Sequence, residues 1–380
     1  MESLVYLDHA ATTRIDDEVL REMLPFLGAN FGNASSRYSL GKISKEAVER
    51  ARTQVASAIG ANSDEIYFTS CGSESDNLAI KGIAKANFMY GRHIITSSIE
   101  HPAVLETCKA LERDGFTVSY VPALESGIID FGALKRLIRR DTILISIMTA
   151  NNEVGTIQPI EEIGKLARRN NIIFHTDSVQ AVGNVKIDVR KMNIDSLSMS
   201  GHKFYGPKGV GILYMRNGIR FLRQQDGGHQ EREKRAGTEN VAGIVGVGKA
   251  IELADRNRIL VNDKLVAIRD FYTKSVISMF KNVHVNGDLE RRLPGNMNIS
   301  FLGHKGAELV DKLDRIGICT SSGSACSAGL PAPSPVLMSM YHNVRIAESS
   351  LRVTFGKENN VSDVERLVRG LNLILGNSPG

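Results

Sequence analysis

The stretch EIYFTSCGSE, residues 65–74, decides the fold class, because it joins an apolar strand pattern to a helix through a small polar turn. Residues Glu65–Thr69 are mostly β-branched or aromatic, which favours a strand. Residues 74–88 then carry a helical pattern. The same succession of strand, turn and helix recurs along the chain, and this alternation is typical of α/β proteins.

Further strands and helices continue this alternation as far as residue 214. Strands are predicted at 93–96, 117–121, 143–148, 172–176, 195–199 and 210–214, and helices at 102–113, 131–139 and 160–169. Strands that alternate with helices favour a mostly parallel sheet covered on both faces. The sequence therefore predicts a large α/β domain built on such a sheet.

The pattern changes after about residue 240. A long helix is predicted over 242–280, followed by strands at 283–285, 296–301 and 351–355 and a helix over 306–316. These elements indicate a second, smaller α+β domain. We place the boundary near residue 255, where a helix can carry the chain from one domain into the other.

Composition excludes several classes of protein. The 380 residues are 42% hydrophobic and 23% charged with a net charge of +5, which is ordinary for a globular protein and no footprint of nucleic-acid binding. No apolar run is long enough to span a bilayer, and the start of the chain lacks a signal-peptide pattern. The four cysteines include no CxxC pair. We therefore predict a cytoplasmic protein with reduced thiols and no structural zinc.

Polar residues follow the predicted strands at the points where those strands end. They are Cys71-Gly72-Ser73, Glu100-His101, Asn151-Asn152-Glu153, His175-Thr176-Asp177 and Ser200-Gly201-His202-Lys203. Because ligands bind beyond the carboxyl ends of parallel strands, we expect these groups to share one site.

Two of these groups allow more than one interpretation. The turn through Gly72 and Ser73 suits a phosphate at a helix N-terminus, but it can equally be a plain turn in which Ser73 caps the helix. Asp177 can bind a metal, cap a helix, or pair with the pyridinium nitrogen of a cofactor.

Two basic residues are also ambiguous. A lone lysine is usually solvated, but Lys203 follows a strand and precedes a Gly/Pro-rich turn, where a partly buried amine can form a Schiff base. Arg352, in the predicted strand near the C-terminus, suits either a substrate carboxylate or a surface salt bridge.

The segment from Ser321 to Gly329 is small, polar and rich in glycine, and it contains Cys326. Such a composition predicts a mobile surface loop. An exposed cysteine in a loop is a liability unless its reactivity is used, so Cys326 is a candidate nucleophile. Cys108, by contrast, lies on an apolar helical face and is interpreted as a packing residue.

Five motifs in order resemble those of one known family. They are Tyr6–Thr13 (YLDHAATT), Glu100-His101, Asn151–Gly155 (NNEVG), Ser200–Lys203 (SGHK) and Ser322–Cys326 (SGSAC). Together they resemble the NifS/IscS branch of the cysteine desulfurases, in class V of the aminotransferase scheme. The resemblance runs from Tyr6 to about Gly356.

This resemblance implies a type I fold of the enzymes that depend on pyridoxal 5′-phosphate (PLP), and a homodimer. The large domain would cover 14–255 with a mostly parallel seven-stranded sheet. The small α+β domain would comprise 1–13 and 256–380 and carry the cysteine loop. The activity implied is removal of sulfur from L-cysteine, which gives alanine and a persulfide on Cys326. The acceptors implied are an iron–sulfur scaffold protein or thiolation proteins.

The resemblance also implies a role for each site residue. Lys203 binds PLP covalently and acts as a base, and His101 stacks on the ring and acts as a catalytic acid/base group. Asp177 pairs with the ring nitrogen, and Gln180 and Asn152 contact the ring. Arg352, with Asn152, binds the substrate. The phosphate contacts implied are Gly72, Ser73, Ser200, His202 and, from the second subunit, Thr238.

Other activities on the same fold remain open at this point. Selenocysteine lyase is the nearest alternative. An ordinary PLP aminotransferase is disfavoured by Cys326, because such an enzyme needs no loop cysteine. A sulfur-relay protein without PLP is disfavoured by Lys203, which it would not need. The chain also departs from the family pattern at a few positions, and these departures bear mainly on the cysteine loop and its partners. These positions are Ala34, Tyr38, Asp226 and Pro335.

Overall fold

The computed structural model describes residues 4–322 and 333–376. Its strands are β1 Val5–Tyr6, β2 Ile66–Thr69, β3 His93–Ser97, β4 Thr117–Val121, β5 Thr142–Ser146, β6 Ile173–Asp177, β7 Ser196–Ser200, β8 Gly211–Met215, β9 Val283–Asn286, β10 Asn296–Phe301, β11 Ile318–Cys319 and β12 Ser350–Thr354. Its helices are α1 Asp17–Leu27, α2 Ser39–Ile59, α3 Gly72–Ala86, α4 Pro102–Arg113, α5 Phe131–Leu137, α6 Ile160–Arg169, α7 Gln230–Glu233, α8 Val241–Met279, α9 Gly306–Asp314, α10 Pro335–Tyr341, α11 Val344–Glu348 and α12 Val361–Gly376.

The largest sheet has seven strands in the order β2-β8-β7-β6-β5-β3-β4. Only β8 runs against its neighbours β2 and β7, so the sheet is mostly parallel, as predicted. The central strands β5 and β7 are buried along their whole length. Such strands need helices on both faces. Two separate hydrophobic clusters provide this cover. In the first, side chains of the sheet pack against α2, α6 and α8, and in the second they pack against α3 and α4. The predicted fold class is confirmed.

The smaller sheet is antiparallel, in the order β12-β10-β9, and β1 pairs in parallel with β11 beside it. Leu351 and Val353 of β12 lie in the core of this region, whereas Arg352 alternates to the other face. The region packs against α12 and the second half of α8.

The 39-residue helix α8 runs through the predicted domain boundary without a break. Its buried side chains from Ile244 to Leu253 belong to the core of the large sheet, and those from Leu265 to Val276 belong to the core of the small one. The domain boundary at residue 255 stays a prediction. It is supported by the fact that α8 passes from one hydrophobic core to the other between Leu253 and Leu265. No helix within the described ranges is long and apolar enough to cross a membrane.

Candidate active site

A cleft of about 550 Å³ lies at the carboxyl ends of the parallel strands. Its walls come from the ends of β2, β3, β5, β6 and β7, from the segment after β1, and from Arg352 of β12. The site residues predicted from sequence that line it are Gly72, Ser73, His101, Asn152, Asp177, Gln180, Ser200, His202, Lys203 and Arg352. The expectation that residues following separate strands share one site is therefore met.

One end of the cleft is formed by the N-terminus of α3. The helix begins at Gly72 with Cys71 as its N-cap, so the alternative in which Ser73 caps it is wrong. A Cβ atom on Gly72 would lie 2.7 Å from Val179 Cγ2 and 3.4 Å from Ser200 Cβ. Only glycine fits this close approach of β7 and the turn after β6. The unpaired N–H groups of a helix's first turn favour an anion here.

Asp177 ends β6 on the floor of the cleft and is buried. Its Oδ1 accepts a hydrogen bond from Val179 N at 2.9 Å. Burial raises the pKa of Asp177, and the nearby His101 and Lys203 oppose that rise. Among the described residues, no group of three or more His, Cys, Asp or Glu could hold a metal ion, so the metal interpretation of Asp177 gains no support.

Lys203 reaches the cleft from the turn after β7 and is only half-buried. Its Nζ donates to the carbonyl oxygens of Ala10 and Ala11, the latter at 2.7 Å. Gln180 Nε2 donates to the same Ala10 oxygen at 2.9 Å. The segment after β1 thus holds the lysine amine inside the cleft, which excludes the interpretation of Lys203 as a solvated surface charge.

The histidines of the cleft are held in their neutral form. His101 is the N-cap of α4, and its Nδ1 accepts from Ala103 N at 3.1 Å. Burial lowers the pKa of His101, as does the charge of Lys203. Burial also lowers the pKa of His202 to about 4, and its Nδ1 lies 3.0 Å from the Thr12 hydroxyl. Both imidazoles are therefore neutral hydrogen-bonding groups at neutral pH.

Arg352 of β12 also lines the cleft. Its Nη2 donates to Asp8 Oδ1 at 2.7 Å, and its Nη1 donates to the Asn152 carbonyl at 3.2 Å. The arginine side chain is only 3% exposed, so the alternative of a surface salt bridge is wrong. A buried guanidinium fixed in this way can recognise a carboxylate.

Three acidic residues without a predicted chemical role also line the cleft, and one of them, Asp76, was not predicted there at all. Asp76 of α3 is fully buried and lines the cleft. Glu100 accepts from Ser97 Oγ and Met148 N, and burial raises the pKa of Glu100 to about 8. Glu153 accepts from Ser334 Oγ at 2.5 Å, and burial raises its pKa. Asp76 left a signal in the sequence, because it interrupts the apolar stripe of Leu78, Ala79 and Ile83 with a charge.

One predicted site residue that the structure describes, Thr238, is not brought into the cleft by this single chain. Thr238 is exposed and does not line it. Cys326 lies outside the described residues. Of the departures from the family pattern, Pro335 is the first residue of α10 and lines the cleft, and Tyr38 is the N-cap of α2 and is 61% exposed.

The side chains of the cleft fit PLP. The close approach at Gly72 suits a phosphate at the first turn of α3, the buried carboxyl of Asp177 suits a protonated ring nitrogen, and the amine of Lys203 suits the aldehyde. These three groups meet in one cleft although 131 residues separate Gly72 from Lys203.

Comparisons with known proteins agree with this site. The family model described as "Aminotransferase class-V" matches residues 5–367. The chain is 51% identical to "Cysteine desulfurase IscS" of Clostridium botulinum over 99% of this chain and 95% of that protein. It is 51% identical to the protein of the same name from Methanosarcina thermophila over 96% of this chain and 90% of that one.

A solved structure called "NIFS-LIKE PROTEIN" superposes with a TM-score of 0.93 at 38% identity, covering 98% of this chain and 99% of that one. At this level of identity and coverage, the likeness extends beyond the fold to the family. The chain therefore belongs to the aminotransferase class-V family and, within it, to the cysteine desulfurases, which are PLP-dependent enzymes.

Proposed function

We propose that this enzyme removes sulfur from L-cysteine, leaves it as a persulfide on Cys326 and releases L-alanine. The observation that carries the proposal is the meeting of Lys203, Asp177 and the N-terminus of α3 in one cleft that a buried arginine, Arg352, also lines. A PLP enzyme that acts on an amino acid requires four groups, and the cleft offers each of them. They are an amine that binds the cofactor covalently, a carboxylate that pairs with its ring nitrogen, a phosphate site, and a cation for the substrate carboxylate.

The residues that hold the cofactor follow from their places in the cleft. Lys203 binds it covalently, Asp177 pairs with its ring nitrogen, and His101, Asn152 and Gln180 contact its ring. The phosphate is held by Gly72, Ser73, Ser200 and His202. When bound, PLP supplies an electron sink for the charge that develops at the substrate α-carbon.

Arg352 orients the substrate through its carboxylate. Asp8 and the Asn152 carbonyl fix the guanidinium, so it need not reorganise when the substrate binds. The Lys203 amine lies in the same cleft and would accept the α-proton of the substrate as the base. The carbonyl oxygens of Ala10 and Ala11 would stabilise the ammonium that results, because they accept hydrogen bonds from Nζ.

The Cys326 thiolate then attacks the substrate sulfur. The carbon–sulfur bond breaks, a sulfur–sulfur bond forms on Cys326, and the carbon that loses sulfur takes a proton and leaves as part of alanine. Ser321, before the segment that contains Cys326, pairs with Arg352, and Pro335 and Val336, after it, line the cleft. These contacts of the described residues support Cys326 as the nucleophile.

A second copy of the chain would complete the site, as the exposure of Thr238 suggests. The segment next to Thr238 is anchored within its own subunit, because Arg235 Nε donates to Glu74 Oε1 at 2.9 Å. A strip of exposed apolar side chains on and after α1 supplies a surface for that copy, namely Leu20, Leu24, Leu27, Phe31 and Tyr38. Sedimentation of Leu24→Arg beside the wild type tests the homodimer. If the two copies pack through this surface, the wild type should sediment as a dimer and Leu24→Arg as a monomer.

The sulfur acceptor is proposed to be an iron–sulfur scaffold protein or a thiolation protein. This partner and a cytoplasmic location stay predictions from the sequence.

Mass spectrometry of the protein after incubation with L-cysteine tests the proposed function. We expect an added sulfur atom on the peptide that contains Cys326 and an equal amount of alanine. Lys203→Ala should give neither. Persulfide on another cysteine, or alanine without any persulfide, would overturn the role of Cys326.

A further inference from the structure

Asp76 is a buried carboxyl group for which the proposed chemistry has no use. It lies in the second turn of α3, its side chain is 1% exposed, and it lines the cleft. Neither of its carboxyl oxygens has a hydrogen-bond partner of normal geometry among the described residues. A buried ion without a partner is costly, so the charge state of Asp76 needs an explanation.

Within the part of the chain that the structure describes, no lysine or arginine lies within ion-pair distance of Asp76. His175 Nε2 of β6 is 3.7 Å from Asp76 Oδ1, but burial lowers the pKa of His175 to about 3, so this imidazole is neutral. The ionisable groups that act most strongly on Asp76 are Asp177, Glu100 and Cys71, and all three disfavour its anion. The Ser198 hydroxyl of β7 acts in the opposite direction.

Asp177 is better suited than Asp76 to carry the negative charge. It accepts the Val179 N–H at 2.9 Å, and the charge of Lys203 favours its anion. Two carboxyl groups that interact in a buried site do not ionise together, because each charge raises the proton affinity of the other. Their unequal surroundings decide which of them keeps the proton.

We propose that Asp76 is a positioning residue of the cofactor site that stays in the neutral acid form and thereby leaves Asp177 as the single anion facing the cofactor ring nitrogen. This proposal rests on the proposed role of Asp177. Burial and the Asp177 charge raise the pKa of Asp76 well above its ordinary value, in agreement with the geometry. An ionised Asp76 would instead drive a proton onto Asp177 and weaken its pairing with a ring nitrogen.

The pH dependence of folding tests the protonation of Asp76 directly. An aspartate that is protonated when folded and ionised when unfolded makes the protein less stable as pH rises, by a factor of about ten in the unfolding constant per pH unit. Asp76→Asn removes this one titration and leaves all others in place. The ratio of the wild-type unfolding constant to that of Asp76→Asn should therefore rise about tenfold per unit between about pH 5 and pH 7.

The experiment is urea unfolding of the full-length, PLP-loaded protein over that pH range. Asp311→Asn, at an exposed position of α9, is the matched control and should give a ratio independent of pH. A ratio for Asp76→Asn that is also independent of pH would overturn the proposal, because a purely structural role gives that result. If Asp76→Asn does not fold, Asp76→Ser provides the same neutral comparison.

Titration of PLP into the apoprotein separates this proposal from the proposed function. Asn is neutral like the protonated acid, so Asp76→Asn should bind PLP within about threefold of the wild type and keep the pH midpoint of its visible absorption band. A midpoint shifted by about one pH unit would show that Asp76 is charged and would refute the proposal. Unchanged binding in Asp177→Asn would instead refute the assigned role of Asp177.

Discussion

His101 has two separable functions, and two substitutions can tell them apart. Its Nδ1 caps α4 by accepting from Ala103 N at 3.1 Å, and the same imidazole lines the cofactor cleft. His101→Ala removes both the cap and the ring. His101→Asn removes the ring but restores a side chain that is among the preferred N-caps.

The expected magnitudes follow from these contacts. Loss of an N-cap acceptor costs about 1 kcal/mol of unfolding free energy, so His101→Ala should be less stable than the wild type by about that amount. His101→Asn should recover most of it. Both variants should lose turnover by at least about a hundredfold, because neither places an imidazole against the cofactor.

The cap also has a predictable pH dependence. The pKa of His101 is lowered from 6.5 by burial, and its Nδ1 can accept only while unprotonated. Below about pH 6.5 the unfolded chain takes up a proton that the folded chain does not, so the wild type loses stability as pH falls. His101→Asn has no such proton and should not share this loss.

Urea unfolding at pH 7 and pH 5.5, with turnover measured on the same preparations, supplies both readouts. If His101→Asn is no more stable than His101→Ala, the capping argument is wrong. If it keeps wild-type turnover, the imidazole is not a catalytic residue.

Three further substitutions test other parts of the account. Gly72→Ala should weaken PLP binding about tenfold in titrations of the apoprotein, because its Cβ would lie 2.7 Å from Val179 Cγ2, whereas Gly28→Ala, with open space around it, should have no effect. Arg352→Lys should raise the KM for L-cysteine about tenfold or more with a smaller change in kcat, and leave reaction with cysteamine, which lacks a carboxylate, unchanged. Arg52→Met should lower the unfolding free energy measured in urea by about 3–5 kcal/mol, because it leaves the buried Glu231, which is 4% exposed, without its ion-pair partner. A loss below about 1 kcal/mol would show that this ion pair behaves like a surface salt bridge and would contradict the prediction.

Local patterns were sufficient to predict the elements of the large sheet. The β-branched run before Ser70 and the proline at the first turn of α4 act over a few residues, and the structure places β2 and α4 there. The polar residues that follow the strands also predicted the cleft, because parallel strands all end at the same edge of the sheet.

Contacts distant in sequence could not be predicted in the same way. Asp8 pairs with Arg352 across 344 residues, and Ala11 accepts from Lys203 across 192. Nothing in the local pattern of YLDHAATT indicates either contact, since both depend on the pairing of β1 with β11 and on the neighbouring bridge between Asp8 and Thr354. The resemblance marked this motif as part of the family without giving its physical role.

The side-chain environments of acidic residues were also out of reach from sequence. Asp76 and Asp177 are both aspartates that follow or interrupt apolar runs. Asp177 has a backbone N–H donor and a cationic neighbour in Lys203, whereas Asp76 has neither among the described residues. Burial and neighbouring charge, which a one-dimensional pattern does not contain, decide their protonation.

The most direct test of the central claim is the release of alanine and sulfide from L-cysteine by the purified protein under a reducing thiol, with Cys326→Ala and Cys319→Ala measured beside it. The account predicts equal amounts of alanine and sulfide from the wild type and from Cys319→Ala. It predicts neither product from Cys326→Ala, which should retain the absorption band of bound PLP. Equal turnover in Cys326→Ala, or no turnover by a wild-type protein that has bound PLP, would contradict it.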